Sequence, residues 1–148
     1  MKILATNRHA RFEYELLERF IAGVALTGSE VKSVRAGRLN LQEGWVAFEA
    51  GQAFLADVHI SPYENAGYAS HDPLRRRALL LHKRDMIKLA AKVAEKGLTV
   101  VPLAIGIEGN WIKVELALAR GKKLHDKRET LRRRTLDREA EAAMRHRR

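Results

Sequence analysis

The chain has no cysteine and only three prolines among its 148 residues. Without a thiol there is no disulfide framework, no thiolate zinc site and no cysteine nucleophile. A chain of this length buries roughly 68–70% of the surface it exposes when unfolded, so it is stable without such staples. Aromatic residues make up 6%, which is too few for a platform that stacks single-stranded bases. No apolar run approaches the roughly 20 residues a membrane-spanning helix needs. The opening Met1-Lys2-Ile3-Leu4-Ala5-Thr6-Asn7-Arg8 turns polar before a signal-peptide core forms. A soluble, cytoplasmic protein with no membrane partner is the expectation.

Catalytic signatures are missing as well. His9, His59, His71, His82, His125 and His146 show no zinc spacing, and no His-Glu-x-x-His occurs. Neither the Walker spacing nor GxGxxG is present. The neighbouring His71 and Asp72 are a lone pair in a loop, and sequence proximity does not make a nuclease centre. The expectation is a chain with no catalytic residue, no metal site and no cofactor.

What is abundant is positive charge. The net charge is +10 and the isoelectric point is near 10.3, which points to a polyanionic partner, nucleic acid first. Residues 120–148 hold twelve Lys and Arg against five Asp and Glu, a net of +7, while residues 1–119 net only +3. Two modules are therefore predicted: a folded body over residues 1–121 and a basic tail over residues 122–148.

The body reads as mainly β with short helices. Residues 12–26 fit strand alternation and a helical face equally well. Gly23 and Gly28 bracket a strand at Val24-Ala25-Leu26-Thr27. Ser29 to Gly37 reads as a short helix capped by Ser29. Trp45–Ala50 and Ala53–Ile60 pair through a Gly51-Gln52 turn. Residues 61–73 read as a loop, and Leu79-Leu80-Leu81 as a buried strand or helix entry. Met86, Leu89, Ala90, Val93 and Ala94 mark a helix over 83–96 that ends at Gly97. Leu98–Ile107 and Trp111–Leu118 form a second hairpin around Glu108-Gly109-Asn110, with Pro102 marking an edge or bulge. Short strands with two helices on this scale suggest a small OB-type barrel.

In the tail, Asp126 and Glu129 resemble a capping box, and helix formers run unbroken by Gly or Pro to about His146. The apolar content is thin: Leu131, Leu136, Met144 and a few alanines. Arg132, Arg133 and Arg134 repel one another. Such a helix is marginal alone, so the tail is expected to be disordered when free and helical when bound, with counterion release offsetting the ordering cost.

The motifs Asn7-Arg8-His9-Ala10-Arg11, Thr27-Gly28-Ser29-Glu30-Val31-Lys32-Ser33-Val34-Arg35-Ala36-Gly37, and His59-Ile60-Ser61-Pro62-Tyr63 follow one another in a single register. Asp72-Pro73-Leu74-Arg75-Arg76-Arg77, Leu79-Leu80-Leu81-His82-Lys83-Arg84, Lys96-Gly97-Leu98-Thr99-Val100-Val101-Pro102-Leu103 and Ala119 to Arg128 continue it. Together they resemble the bacterial small protein B (SmpB) family from residue 7 to the C-terminus. The resemblance implies a closed OB-like antiparallel barrel that binds the tRNA-like domain of transfer-messenger RNA at its elbow and D-loop side. It also implies trans-translation, the rescue of stalled ribosomes, with the tail placed in the empty mRNA path of the small subunit. A monomer that catalyses no reaction is expected. Two positions depart from the family's habit: Ile21 stands where Glu is frequent, and Ala78 where Lys is frequent. The rival reading is a general rRNA- or ribosome-binding OB protein with a basic extension.

On physical grounds Arg8, Arg11, Lys32, Arg35, Arg75, Arg77, Lys83 and Arg84 are the expected phosphate contacts, joined by Lys122 and Lys123 at the hinge. Glu30 is expected to be internal, either as a helix-terminus partner or paired with Arg35. Leu80 is expected to pack under the RNA face, with His82 supporting it. The resemblance assigns Asp126, Lys127 and Arg128 to the ribosomal decoding region, followed by Arg132, Arg133 and Arg134.

Overall fold

The computed structural model describes residues 1–63 and 71–122. In chain order the elements are β1 (Lys2–Thr6), α1 (Ala10–Glu13), β2 (Tyr14–Val24), α2 (Gly28–Arg35), β3 (Leu39–Asn40), β4 (Trp45–Glu49) and β5 (Gln52–Ala56). They continue with β6 (His59–Ile60), β7 (Arg77–Leu80), α3 (Lys83–Lys96), β8 (Thr99–Glu108) and β9 (Trp111–Gly121). Seven strands form one antiparallel sheet in the order β1-β8-β9-β2-β7-β5-β4, and β3 pairs with β6 apart from it.

The mainly β body with short helices is present, but the closed barrel is not. β1 and β4 are the outer strands, and no ladder joins them among the described residues. The sheet curls until β4 packs against β8. There β8 carries Pro102, which has no N–H to donate to a ladder. Gly44 approaches so closely that a Cβ on it would lie 2.7 Å from Val58 Cγ2 and 2.8 Å from Pro102 Cγ. The Asn7 side chain spans the gap instead, its Nδ2 donating to the carbonyls of Leu41 at 3.1 Å and Pro102 at 2.9 Å. The ladder of β8 with β9 is bulged between Pro102 and Ala104, as the proline requires.

The ambiguous stretch over 12–26 resolves into the end of α1 followed by the eleven residues of β2. β2 pairs along its length with β9, from Tyr14 opposite Gly121 to Gly23 opposite Lys113. That ladder satisfies a backbone that a short helix would leave frayed at both ends. The strand expected at Val24–Thr27 is thus displaced upstream. Ala50 and Gly51, at φ 49° and 75°, turn the first hairpin one residue earlier than Gly51-Gln52. Positive φ at both central residues suits the twist of the flanking strands. Asp57 takes φ 56°, so β5 stops at Ala56 and the chain resumes as β6 rather than as one strand to Ile60.

The core gathers the inner residues of these strands, among them Val46, Leu55, Val58, Ile60, Val100, Ile105, Val114 and Leu116. α3 covers it with Leu89, which is fully buried, and ends at Gly97 in the left-handed conformation, φ 62°. Leu116, Ala117, Leu118 and Ala119 are all buried: Leu116 and Leu118 belong to the main core, and Ala119 packs in a small second cluster with Val101 and Ala10 of α1.

Candidate nucleic-acid interface

α2 begins two residues earlier than its Ser29 cap would place it. Thr27 is the N-cap: the Glu30 amide donates to Thr27 Oγ1 at 3.4 Å, and the Thr27 amide donates to Glu30 Oε1 at 2.9 Å. This reciprocal box fixes the helix start. Glu30, Ser33 and Val34 then fall on the buried face, and Lys32 and Arg35 on the exposed one. Ser33 Oγ ties the helix to the Ser61 carbonyl at 2.7 Å. Ser29 Oγ lies 2.8 Å from His71 Nδ1, while His71 Nε2 donates to the Ile60 carbonyl at 2.8 Å.

Glu30 is internal, as expected, but its partners are not Arg35. Arg75 Nη2 donates to Oε1 and Arg77 Nε to Oε2, each at 2.5 Å. One carboxylate thus holds two guanidinium groups. Burial pushes the Glu30 pKa up, but the hydrogen bonds from Arg75, the Thr27 amide and Arg77 outweigh it and bring it down to about 2. Burial pulls the Arg77 pKa below the usual guanidinium range, against the opposing pull of Glu30.

This placement corrects two expectations. Arg77 is fully buried, with Nη1 donating to the Val58 carbonyl at 2.6 Å and Nη2 to the carbonyls of Pro73 at 3.1 Å and Asp72 at 3.5 Å. With no exposed surface it cannot reach a phosphate. Leu80 does not pack under a face: it is 56% exposed, opposite Gly23 of β2. Strand parity explains both, since Arg77 and Leu79 point into the core and Ala78 and Leu80 point away.

The remaining cations sort into two groups. Acids neutralise the first. Arg19 pairs with Glu115 at 3.2 Å, Arg76 with Glu49 at 2.6 Å, and Arg120 with Glu15 at 3.7 Å. Lys88 and Lys92 share Glu18, and Lys113 meets Glu108. Arg75, with its side chain 40% exposed, belongs partly here through Glu30. In the second group, Lys2, Arg8, Arg11, Lys32, Arg35, Lys83 and Arg84 are exposed and have no acidic partner among the described residues. Lys32 has an aromatic neighbour, its Nζ lying 5.2 Å from the Tyr63 ring centre.

The unpaired cations do not form one cluster. Lys32 and Arg35 lie on α2, and Lys83 and Arg84 open α3 just beyond β7, next to the exposed His82 that precedes the helix. Arg8 precedes α1 and Arg11 lies within it, at the opposite end of β2. Asn40, five residues beyond Arg35, shares a cleft with Arg8, which links the two regions through β3. Ile21 is 60% exposed on β2, and Ala78 pairs with Phe54 of β5. Arg76 lies 5.7 Å from the Trp45 ring, whose Nε1 donates to Asp57 at 2.7 Å.

Lys122 ends the described body, its amide donating to the Glu13 carbonyl at 3.0 Å. Lys123, Asp126, Lys127, Arg128, Arg132, Arg133 and Arg134 lie outside the described residues, as does the expectation of a tail that becomes helical when bound. Among the described residues no group of three or more His, Asp or Glu is placed to hold a metal ion, and no helix is long and apolar enough to cross a membrane.

The family model described as SmpB protein matches residues 4–146. An SsrA-binding protein of Gloeothece citriformis (strain PCC 7424) is 54% identical over 144 residues, covering 97% of this chain and 93% of the relative. An SsrA-binding protein of Thermosynechococcus vestitus (strain NIES-2133 / IAM M-273 / BP-1) is 53% identical over 149 residues, covering 99% and 97%. Among solved structures, a chain from "tmRNA-SmpB: a journey to the center of the bacterial ribosome" is similar at a TM-score of 0.71 and 47% identity, covering 87% of this chain and 94% of that one.

Proposed function

Because this chain belongs to the SmpB family, we propose that it binds the tRNA-like domain of transfer-messenger RNA and delivers that RNA to stalled ribosomes for trans-translation. The observation that carries the reading is the sorting of its cations. The fold spends its acids on Arg19, Arg75, Arg76, Arg77, Lys88, Lys92, Lys113 and Arg120, and leaves Arg8, Arg11, Lys32, Arg35, Lys83 and Arg84 to solvent. Unpaired surface cations gain most from a polyanion, because each phosphate they neutralise releases a condensed counterion. Glu30 supports the surface at one remove by anchoring Arg75, whose side chain reaches solvent.

The curled body stands in for the missing anticodon half of the tRNA shape. The basic tail, beginning at Lys122 and Lys123, enters the empty mRNA path of the small subunit and becomes ordered there, with Asp126 capping its helix and Lys127 and Arg128 meeting rRNA phosphates. The protein works in the cytoplasm as a binding module and catalyses no reaction.

Competition tests this reading. Labelled transfer-messenger RNA is displaced by its own tRNA-like domain and not by an unrelated RNA of equal length at the same salt. Equal displacement by both would favour a general RNA binder and overturn the proposal.

A further inference from the structure

α1 does more than continue β1. Docked on the outer side of β9 through Ala10, it leaves beside it a cleft of about 520 Å³, within the size range of small-ligand sites. Its floor is apolar: Ile3 of β1 with Leu103 and Ala104 of β8. Ile3 is 47% exposed, so this apolar surface is uncovered. Arg8 and Arg11 line the cleft and have no acidic partner among the described residues. The one carboxylate present, Glu115, is held by Arg19 at 3.2 Å. The lining therefore carries two uncompensated positive charges beside an apolar surface. Asn7 fixes this arrangement, since its Oδ1 accepts from the Ala10 amide at 3.2 Å while its Nδ2 binds two carbonyls across the sheet.

We infer that this cleft receives one unstacked nucleotide of single-stranded RNA, with its phosphate across Arg8 and Arg11 and its base or sugar on the floor made by Ile3 and Leu103. Two guanidinium groups alone would suit any phosphate. The apolar floor next to them selects a nucleotide over a bare anion, and a base paired within a helix cannot present its face to it. The inference rests on the RNA-binding reading above and adds a subsite to it. Transfer-messenger RNA and ribosomal RNA are both sources of such a nucleotide.

The test uses the full-length protein, with single-stranded hexauridylate and inorganic pyrophosphate as probes, followed by backbone amide NMR. Hexauridylate shifts Thr6, Arg8, Arg11, Leu103 and Ala104 and leaves the amides around Lys32 and Lys83 in place. Replacing both arginines (Arg8→Ala with Arg11→Ala) weakens hexauridylate about tenfold. Ile3→Ser, at an exposed position, weakens hexauridylate about fivefold and leaves pyrophosphate unchanged. Equal binding of hexauridylate by Ile3→Ser and the unaltered protein would reduce the cleft to a bare phosphate site and overturn the inference. Shifts spread over every basic surface, or the same shifts with hexaglutamate, would do so too.

Because the chain has no cysteine, Thr6→Cys carries a single photo-crosslinker, used with transfer-messenger RNA and with ribosomes in separate arms. An RNA adduct in either arm names the source, and adducts to protein alone overturn the inference. If the unaltered protein binds no hexauridylate at the cleft while its preference for transfer-messenger RNA is intact, this inference alone is defeated. Absence of that preference in the unaltered protein defeats the functional reading.

Discussion

Arg77 Nε donates to Glu30 Oε2 at 2.5 Å, and neither side chain retains any exposure to solvent. The pair joins residues 47 positions apart, one on α2 and one at the start of β7. It locks the helix that presents Lys32 and Arg35 onto the sheet. A buried pair broken on one side leaves an uncompensated charge, which costs about 3–5 kcal/mol. Glu30→Ala and Arg77→Met each lower the unfolding free energy by that order in a urea titration, and the double variant recovers part of the loss. Arg75→Ala, at the half-exposed end of the cluster, costs less than about 1 kcal/mol.

The same cluster sets an acid response. The Glu30 pKa is lowered from an ordinary 4.5 to about 2 in the folded protein. A carboxylate whose folded pKa is depressed contributes stability that is present above its unfolded pKa and is lost as pH falls toward the folded one. Stability therefore declines from about pH 5 down to about pH 2. Glu18, lowered by its hydrogen bonds to Lys88 and Lys92, and Glu108, lowered by its hydrogen bond to Lys113, act in the same direction. Glu30→Gln removes the buried contribution, so its unfolding midpoint changes less with pH over this window. Chemical denaturation at a series of pH values checks it, and parallel curves for the two proteins would rule it out.

The sequence carried much of this and lacked some of it for identifiable reasons. α3 was legible because its apolar residues recur at helical spacing and a glycine follows at the position that needs φ 62°. Arg75-Arg76-Arg77 reads as a uniform basic run, yet strand parity separates its members: Arg77 shares a face with buried Leu79. That parity was readable once β7 was taken as a strand. The identity of its partner was not, because nothing local couples position 77 to position 30. Closure of the sheet was equally non-local. It depended on where Pro102 met β4, and the proline's missing N–H is visible in the sequence while its neighbour is not. Thr27 and Ser29 are both sound caps by composition, and only the reach of Glu30 back to the Thr27 amide decides between them.

The two groups of cations respond differently to substitution. Arg35→Ala and Lys83→Ala each remove a charge that the fold leaves unpaired. Each weakens binding to transfer-messenger RNA and reduces the slope of log affinity against log salt by up to about one unit. Lys113→Ala and Arg120→Ala remove charges already met by Glu108 and Glu15. Their slopes stay within error of the unaltered protein. Filter binding at four or more salt concentrations separates the outcomes, and equal losses for all four variants would mean that net charge alone governs binding.

Truncation after Lys123 separates body from tail. Every buried apolar residue of the described core lies at or before Ala119, and β9 closes its ladder with β2 at Gly121. The last described anchor is the Lys122 amide on the Glu13 carbonyl, which the truncated chain keeps. The body therefore retains its unfolding midpoint, its unpaired cations and its affinity for the tRNA-like domain. What it loses is the segment proposed to occupy the mRNA path, along with a cluster of positive charge that the body does not replace. Tagging of polypeptides on stalled ribosomes falls to background in a reconstituted translation system, although the RNA is still bound. Continued tagging by the truncated protein would place the ribosomal contacts that matter on the body, and the division of labour between the two modules would have to be abandoned.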